Sequence, residues 1–176
     1  LSGKPGLITL HMGDDKRALE PVFEALERTS IPIKTFQPTH VGRSAKLQDD
    51  AFRFAKMGGT IDITCGQSES KFKAVAASLK KAAEEQVPME KITISSDGQG
   101  SWSNYDADGK LTEMGVSDVD TIYRQIVYEV KNEKMPLAEA LTFGTSNVAK
   151  ALELYPKKGA VQEGSDGDLL LMNGDL

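Results

Sequence analysis

The chain is poor in the residues that most often declare a function. Its 176 residues include one cysteine, Cys65, and two histidines, His11 and His40. A single thiol forms no intrachain disulfide, which excludes a small scaffold built on disulfides. Two histidines so far apart make neither a helical HExxH motif nor, by themselves, a three-histidine site. Positive charge is also in deficit. The 21 Lys and Arg stand against 26 Asp and Glu, a net charge of −5, without the basic face that nucleic acid or an anionic membrane selects. No apolar run approaches the ~20 residues of a membrane-spanning helix. No basic-then-apolar signal opens the chain, so the expected location is cytoplasmic, with neither nucleic acid nor membrane as a partner. Solenoid repeats and low-complexity segments are absent as well.

What the sequence does contain is an alternation of two patterns, over a length that suits about one domain. Short apolar runs at 7–10, 31–36, 59–65 and 92–96 are separated by amphipathic stretches. In 17–28, Leu19, Val22, Phe23 and Leu26 recur at helical spacing, and Pro21 suits a first turn, so this helix is predicted to start near residue 19 or 20. A second helix over 45–57 places Leu47, Ala51, Phe54 and Ala55 on one side and closes at Gly58 and Gly59. A third, over 72–86, presents Val75, Ala76, Leu79 and Ala83. The fourth run leads through a polar loop into a helix over 116–133. Four strand–helix units in succession predict a parallel α/β fold, either an open doubly wound sheet or half of an eight-fold (β/α) barrel. Beyond residue 135, two short helices at 136–143 and 146–154 precede Gly/Asp turns around short strands ending at 169–172. The chain opens as LSGKPGLITL, without Met, and closes just after LLLM. Strands placed at both extremes predict a segment of a longer protein.

Ligands of parallel α/β folds bind at the carboxyl ends of the strands. The four runs end at His11, His40, Cys65 and Asp97, so both histidines and an aspartate converge on one face as good metal-ligand types. Each also has a purely structural explanation. A strand-end histidine can bond a neighbouring carbonyl, and Asp97-Gly98 is a common turn pair. Cys65 reads as a small buried apolar side chain with no base beside it. Asp14 and Asp15 read as residues that cap and charge-complement the following helix. Arg43, three residues after His40, is either solvated or a bidentate carboxylate binder. Asn104, Asp106, Asp108 and Gly109 match half of a calcium loop, but Gly115 stands where its bidentate Glu belongs, so a β-turn at Asp108-Gly109 is expected. The Gly98-Gln-Gly100 pair has no third glycine at Ser103 and opens no helix, so it is no dinucleotide fingerprint.

Taken together, HMGD at His11, QPTHVGR ending at Arg43, GGTIDIT at 58–64 and SSDGQGS at 95–101 resemble the bacterial isoaspartyl dipeptidases, zinc enzymes of the amidohydrolase superfamily. The tail, LTFGTSNVAKALEL followed by KKGAVQEGSDGDLLLM, is similar to the end of many amidohydrolases, where two short helices return the chain to a small β-sandwich. The resemblance implies the second half of a (β/α)8 TIM barrel, strands five to eight, over residues 1–155, and a partial β-sandwich over 156–176. It implies two zinc ions in the whole protein, with His11 and His40 as ligands of one. Asp97 would be both a metal ligand and the catalytic proton shuttle, and Arg43 and Ser101 would bind substrate carboxylates.

The implied reaction is hydrolysis of a small peptide, a β-aspartyl dipeptide, by a hydroxide bridging the zinc ions. The family's His-x-His pair and bridging lysine have no counterpart here, because both histidines already match other positions. Gly167 replaces a usual alanine, and Cys65 ends strand seven with no role to inherit. The expected behaviour is therefore a chain inactive on its own, self-associating into a homo-oligomer, with at most part of the metal site. A dihydroorotase-like or N-acyl amino acid hydrolase is the alternative within the superfamily. A non-catalytic α/β module that binds an anion or partner is the alternative outside it.

Overall fold

Residues 6–174 are described by a computed structural model of the chain. The outermost parts of the two expected segments, residues 1–5 and 175–176, lie outside the described residues. Strand β1 (Ile8–His11) pairs in parallel with β2 (Phe36–Thr39), placing His11 opposite Thr39. Strand β3 (Ile61–Thr64) pairs in parallel with β4 (Ile92–Ser95), placing Thr64 opposite Ser95. Between the two pairs, Val41 N–H donates to Asp62 O at 3.4 Å and the Thr39 hydroxyl reaches the Asp62 carboxylate, so β2 and β3 lie side by side without a continuous ladder.

The helices occur where apolar side chains recur at helical spacing, and they cover one face of these strands. α1 (Glu20–Arg28) has Pro21 in its first turn, where a missing N–H costs nothing. α2 (Ala45–Lys56) starts at Ser44, whose hydroxyl accepts from Leu47 N–H, and buries Leu47, Ala51, Phe52, Phe54 and Ala55. It ends where Gly58 takes φ +99°, and a Cβ on Gly59 would lie 2.1 Å from the Phe54 ring, so only glycine fits there. α3 (Glu69–Glu84) and α4 (Thr121–Lys131) complete the layer, and the core they share includes Ile61, Ile63, Ile92 and Ile94. Side chains buried this fully each contribute about 1.5–3 kcal/mol. No helix among the described residues is long and apolar enough to cross a membrane.

Four expectations shift. The second strand occupies Phe36–Thr39 rather than 31–36, because Pro32 leads into a 3₁₀ turn at Ile33–Thr35 and Ile31 stays exposed. α3 begins at Glu69, three residues earlier than its first apolar position. The polar loop after β4 is a hairpin, β5 (Ser101–Tyr105) against β6 (Leu111–Val116), so α4 starts at Thr121 and not at Val116. Its turn falls at Asp108-Gly109, and Asp106 Oδ1 accepts from Asp108 and Lys110 N–H, which uses that carboxylate locally rather than for calcium.

The tail differs most. α5 (Leu137–Thr142) and α6 (Ser146–Ala151) form as expected, but residues 156–174 make turns, and no strand follows β6 among the described residues. A strand needs a partner, and Leu169, Leu170 and Leu171 lie exposed beside none. The two short helices have their own work. Ile94 N–H donates to Phe143 O at 3.1 Å, and the buried Asn147 amide donates to both Met89 O and Ile92 O.

Candidate metal centre

Three strand ends bring the candidate ligands together. His11 is the last residue of β1, His40 directly follows β2, and Asp97 comes two residues after β4. Their ligand atoms all lie within 4.8 Å of one another. Both His40 and Asp97 have left-handed backbones, at φ 63° and 49°. Side-chain-bearing residues rarely adopt that region, though His and Asp tolerate it better than most, and such outliers gather at functional sites. The turn after Asp97 is equally constrained: Gly100 N–H donates to Asp97 O at 2.8 Å, and a Cβ on Gly100 would sit 2.9 Å from Asp97 Oδ1.

His11 Nδ1 and His40 Nε2 are 3.0 Å apart, with ring centroids 5.0 Å apart. Zinc–nitrogen bonds of ~2.0–2.1 Å place two tetrahedral ligand nitrogens roughly 3.3 Å apart, so the pair needs only a small adjustment to share one ion. Burial, and then the Arg43 charge, hold the His40 pKa below its usual value against the opposing pull of Asp97. That favours the neutral imidazole, the form that binds metals. Two imidazoles and a carboxylate form a donor set that suits zinc.

Arg43 also lies at the site, but one of its guanidinium nitrogens, Nη1, donates to Met12 O at 2.8 Å. It thereby ties the loop after β2, which carries His40, to the loop that begins directly after His11. Ser101 opens β5, exposed and outside the ligand cluster. Beside His40, Arg43 and Asp97 lies an open cavity of about 620 Å³, lined further by Cys65, Lys71 and Trp102 among others. Cys65 is buried, and its thiol is pushed up to about 12 by burial first and then by the Asp62 and Glu129 carboxylates. It is packing, not a nucleophile. Asp15 accepts from Arg17 N–H in a local turn and does not cap α1, whose N-cap position is Leu19 and which has no side-chain cap bond.

The sequence reading passed over Thr64, whose hydroxyl lies 2.6 Å from His40 Nδ1, and over Lys71 and Trp102 in the cavity wall. A signal for Thr64 exists. In Ile61-Asp-Ile-Thr64 the polar residues alternate with isoleucines, so Asp62 and Thr64 share the face opposite the helices.

The amidohydrolase family profile matches residues 18–176. The crystal structure of β-aspartyl dipeptidase from the thermophilic keratin-degrading Fervidobacterium islandicum AW-1, in complex with the β-Asp-Leu dipeptide, superimposes with a TM-score of 0.83 at 37% identity, covering 94% of this chain and 43% of that one. A second structure of β-aspartyl dipeptidase from the same organism gives 0.77 at 37% identity, covering 94% and 40%. The chain thus spans less than half the length of these neighbours.

Proposed function

The chain belongs to the amidohydrolase family, and from that premise we propose that it supplies part of the active site of a zinc-dependent hydrolase cleaving β-aspartyl dipeptides. The observation that carries this reading is the convergence of His11, His40 and Asp97 on one point. The neighbour crystallised with β-Asp-Leu supports the substrate class. On this reading β1 to β4 are strands five to eight of a (β/α)8 barrel, and the turns of residues 156–174 lead towards the accompanying β-sandwich without forming a strand of it.

His11 Nδ1 and His40 Nε2 would hold one metal ion, with Asp97 completing the side of the site that this chain provides. A zinc centre supplies a water acidic enough to act as hydroxide near neutral pH, and it polarises the scissile carbonyl. Asp97, fixed in its turn by Gly100, would orient the attacking water, accept its proton and pass it to the leaving amine. Arg43 and Ser101 hold the carboxylates of the substrate, the guanidinium through the donors that Met12 O leaves free. Burial and the neighbouring cation keep His40 available as a neutral ligand.

Zinc titration of the chain by calorimetry, beside His40→Ala, tests the centre. Binding in the wild type that the substitution abolishes is the expected result, whereas equal binding by both removes His40 from the site. Substrate class is checked in the full-length protein. Turnover of β-aspartyl dipeptides well above that of α-linked dipeptides and cyclic amides is expected. Arg43→Ala should raise KM for β-Asp-Leu tenfold or more, about the value of one charge-assisted bidentate contact.

A further inference from the structure

Each of the four parallel-paired strands alternates in the same phase: Thr9 and His11, Gln37 and Thr39, Asp62 and Thr64, Thr93 and Ser95 are polar, and the residues between them are apolar. The polar face is wired to one carboxylate. Asp62, only 6% exposed, accepts from the Thr39 hydroxyl at 2.6 Å, the Thr93 hydroxyl at 2.7 Å and the Ser95 hydroxyl at 2.5 Å. From Thr39 the network continues to the Thr64 hydroxyl, 3.5 Å away, and from Thr64 to His40 Nδ1 at 2.6 Å. The reading of the centre uses His40 but nothing behind it.

We propose that Thr64, backed by Thr39 and the buried carboxylate of Asp62, is a positioning residue that fixes His40 in the tautomer and orientation presenting Nε2 to a metal ion. This rests on the reading of His40 as a ligand. A neutral imidazole that coordinates through Nε2 carries its proton on Nδ1, and that N–H needs an acceptor in a buried site. Thr64 Oγ1 is placed to be that acceptor. Its own hydrogen then turns towards Thr39, whose hydroxyl already donates to Asp62, so a group that can only accept sets the direction of the series. Nε2 is left as a bare lone pair, and His11 Nδ1 faces it at 3.0 Å. Removing the Thr64 hydroxyl leaves the Nδ1–H without a partner. The tautomer equilibrium then shifts towards Nε2–H, which competes directly with the metal.

Two readouts on the full chain test the device. Zinc affinity, measured by competition with a chromophoric chelator, should fall tenfold or more in the near-isosteric Thr64→Val and stay within about threefold of wild type in Thr64→Ser. Nitrogen-15 spectra of the metal-free protein should show His40 as the Nδ1–H tautomer in the wild type, shifted towards Nε2–H in Thr64→Val and in Asp62→Asn. A group that only glued the strands would lower the melting temperature without moving either readout. If Thr64→Val binds zinc as tightly as wild type while His40→Ala does not bind, the positioning role is overturned and the ligand reading stands. An Nε2–H tautomer in the wild-type spectrum overturns the positioning role, whether or not the chain by itself binds zinc. An unchanged spectrum in Asp62→Asn overturns the part assigned to Asp62.

Discussion

Burial decides what several ionisable side chains can do. Cys65 is 4% exposed, and its thiol is pushed to about 12. Native protein should therefore leave iodoacetamide unreacted for hours at pH 8 and consume one equivalent promptly in denaturant. Rapid native labelling would contradict the packing role. Glu129 on α4 is the opposite kind of burial, an acid held in its neutral form. It is 2% exposed, and its pKa rises to about 7 through desolvation, opposed by a bond from the Gln125 amide and reinforced by Glu133. The folded state keeps this proton to about pH 7, whereas the unfolded chain loses it near 4.5. Stability contributed by the group is thus fully present below about pH 4.5 and is lost as pH rises to about 7, a change of about 3 kcal/mol at most. Glu129→Gln should flatten that slope in denaturant titrations at several pH values. The new amide also offers a donor beside Gln125 Oε1, a buried acceptor with no partner among the described residues.

Elements here depend on edges as much as on propensity. The β4 edge is held by the tail, since Phe143 O accepts Ile94 N–H and the Asn147 amide bonds two carbonyls around the turn that precedes the strand. Asn147→Ala strands Met89 O and Ile92 O, and a loss of about 2–4 kcal/mol is expected from the denaturation midpoint. A loss below 0.5 kcal/mol would mean that water takes over both bonds. The hairpin β5–β6 shows how a polar loop hides strands. Its sequence, SWSNYDADGKLTEMGV, has the Asp-Gly turn but few buried positions, and the strands pair because Trp102 packs its indole where Gly115, directly opposite, has no side chain. Hydrophobic patterning cannot report a strand whose faces are mostly solvated.

For the whole molecule, exposed apolar surface is the dominant unsettled energy. Val161, Leu169, Leu170 and Leu171 are 87%, 70%, 78% and 99% exposed, and among the described residues β1 has one edge without a strand partner and leaves Ile8 half-exposed. Such surface associates in water. Gel filtration of the chain should show an elution volume that falls as concentration rises, and a compact monomer at every concentration would count against it.

The sequence by itself determined the four successive strand–helix units, most of the buried side of each helix (in α3 it is Ala82 that is buried, and the expected Ala83 is exposed), and the strand ends that carry His11, His40 and Asp97, but neither the β5–β6 hairpin nor the form of the tail. Apolar spacing, Pro21, Ser44 and the glycine pair at 58–59 act within one turn of chain, so they are legible without coordinates. It also placed His11, His40 and Asp97 at strand ends, which is why the metal centre could be anticipated. Only the tertiary structure decided how these meet. Register between strands sets His11 Nδ1 against His40 Nε2, and the left-handed backbones of His40 and Asp97 are imposed by their turns rather than by their own preferences. Asp62 and Thr64 alternate correctly in the sequence, but their bonds to Thr39, Thr93, Ser95 and His40 exist only once three strands lie side by side. Contacts between residues distant in the chain carry no local signature, and in this protein the ordering of the centre rests on such contacts.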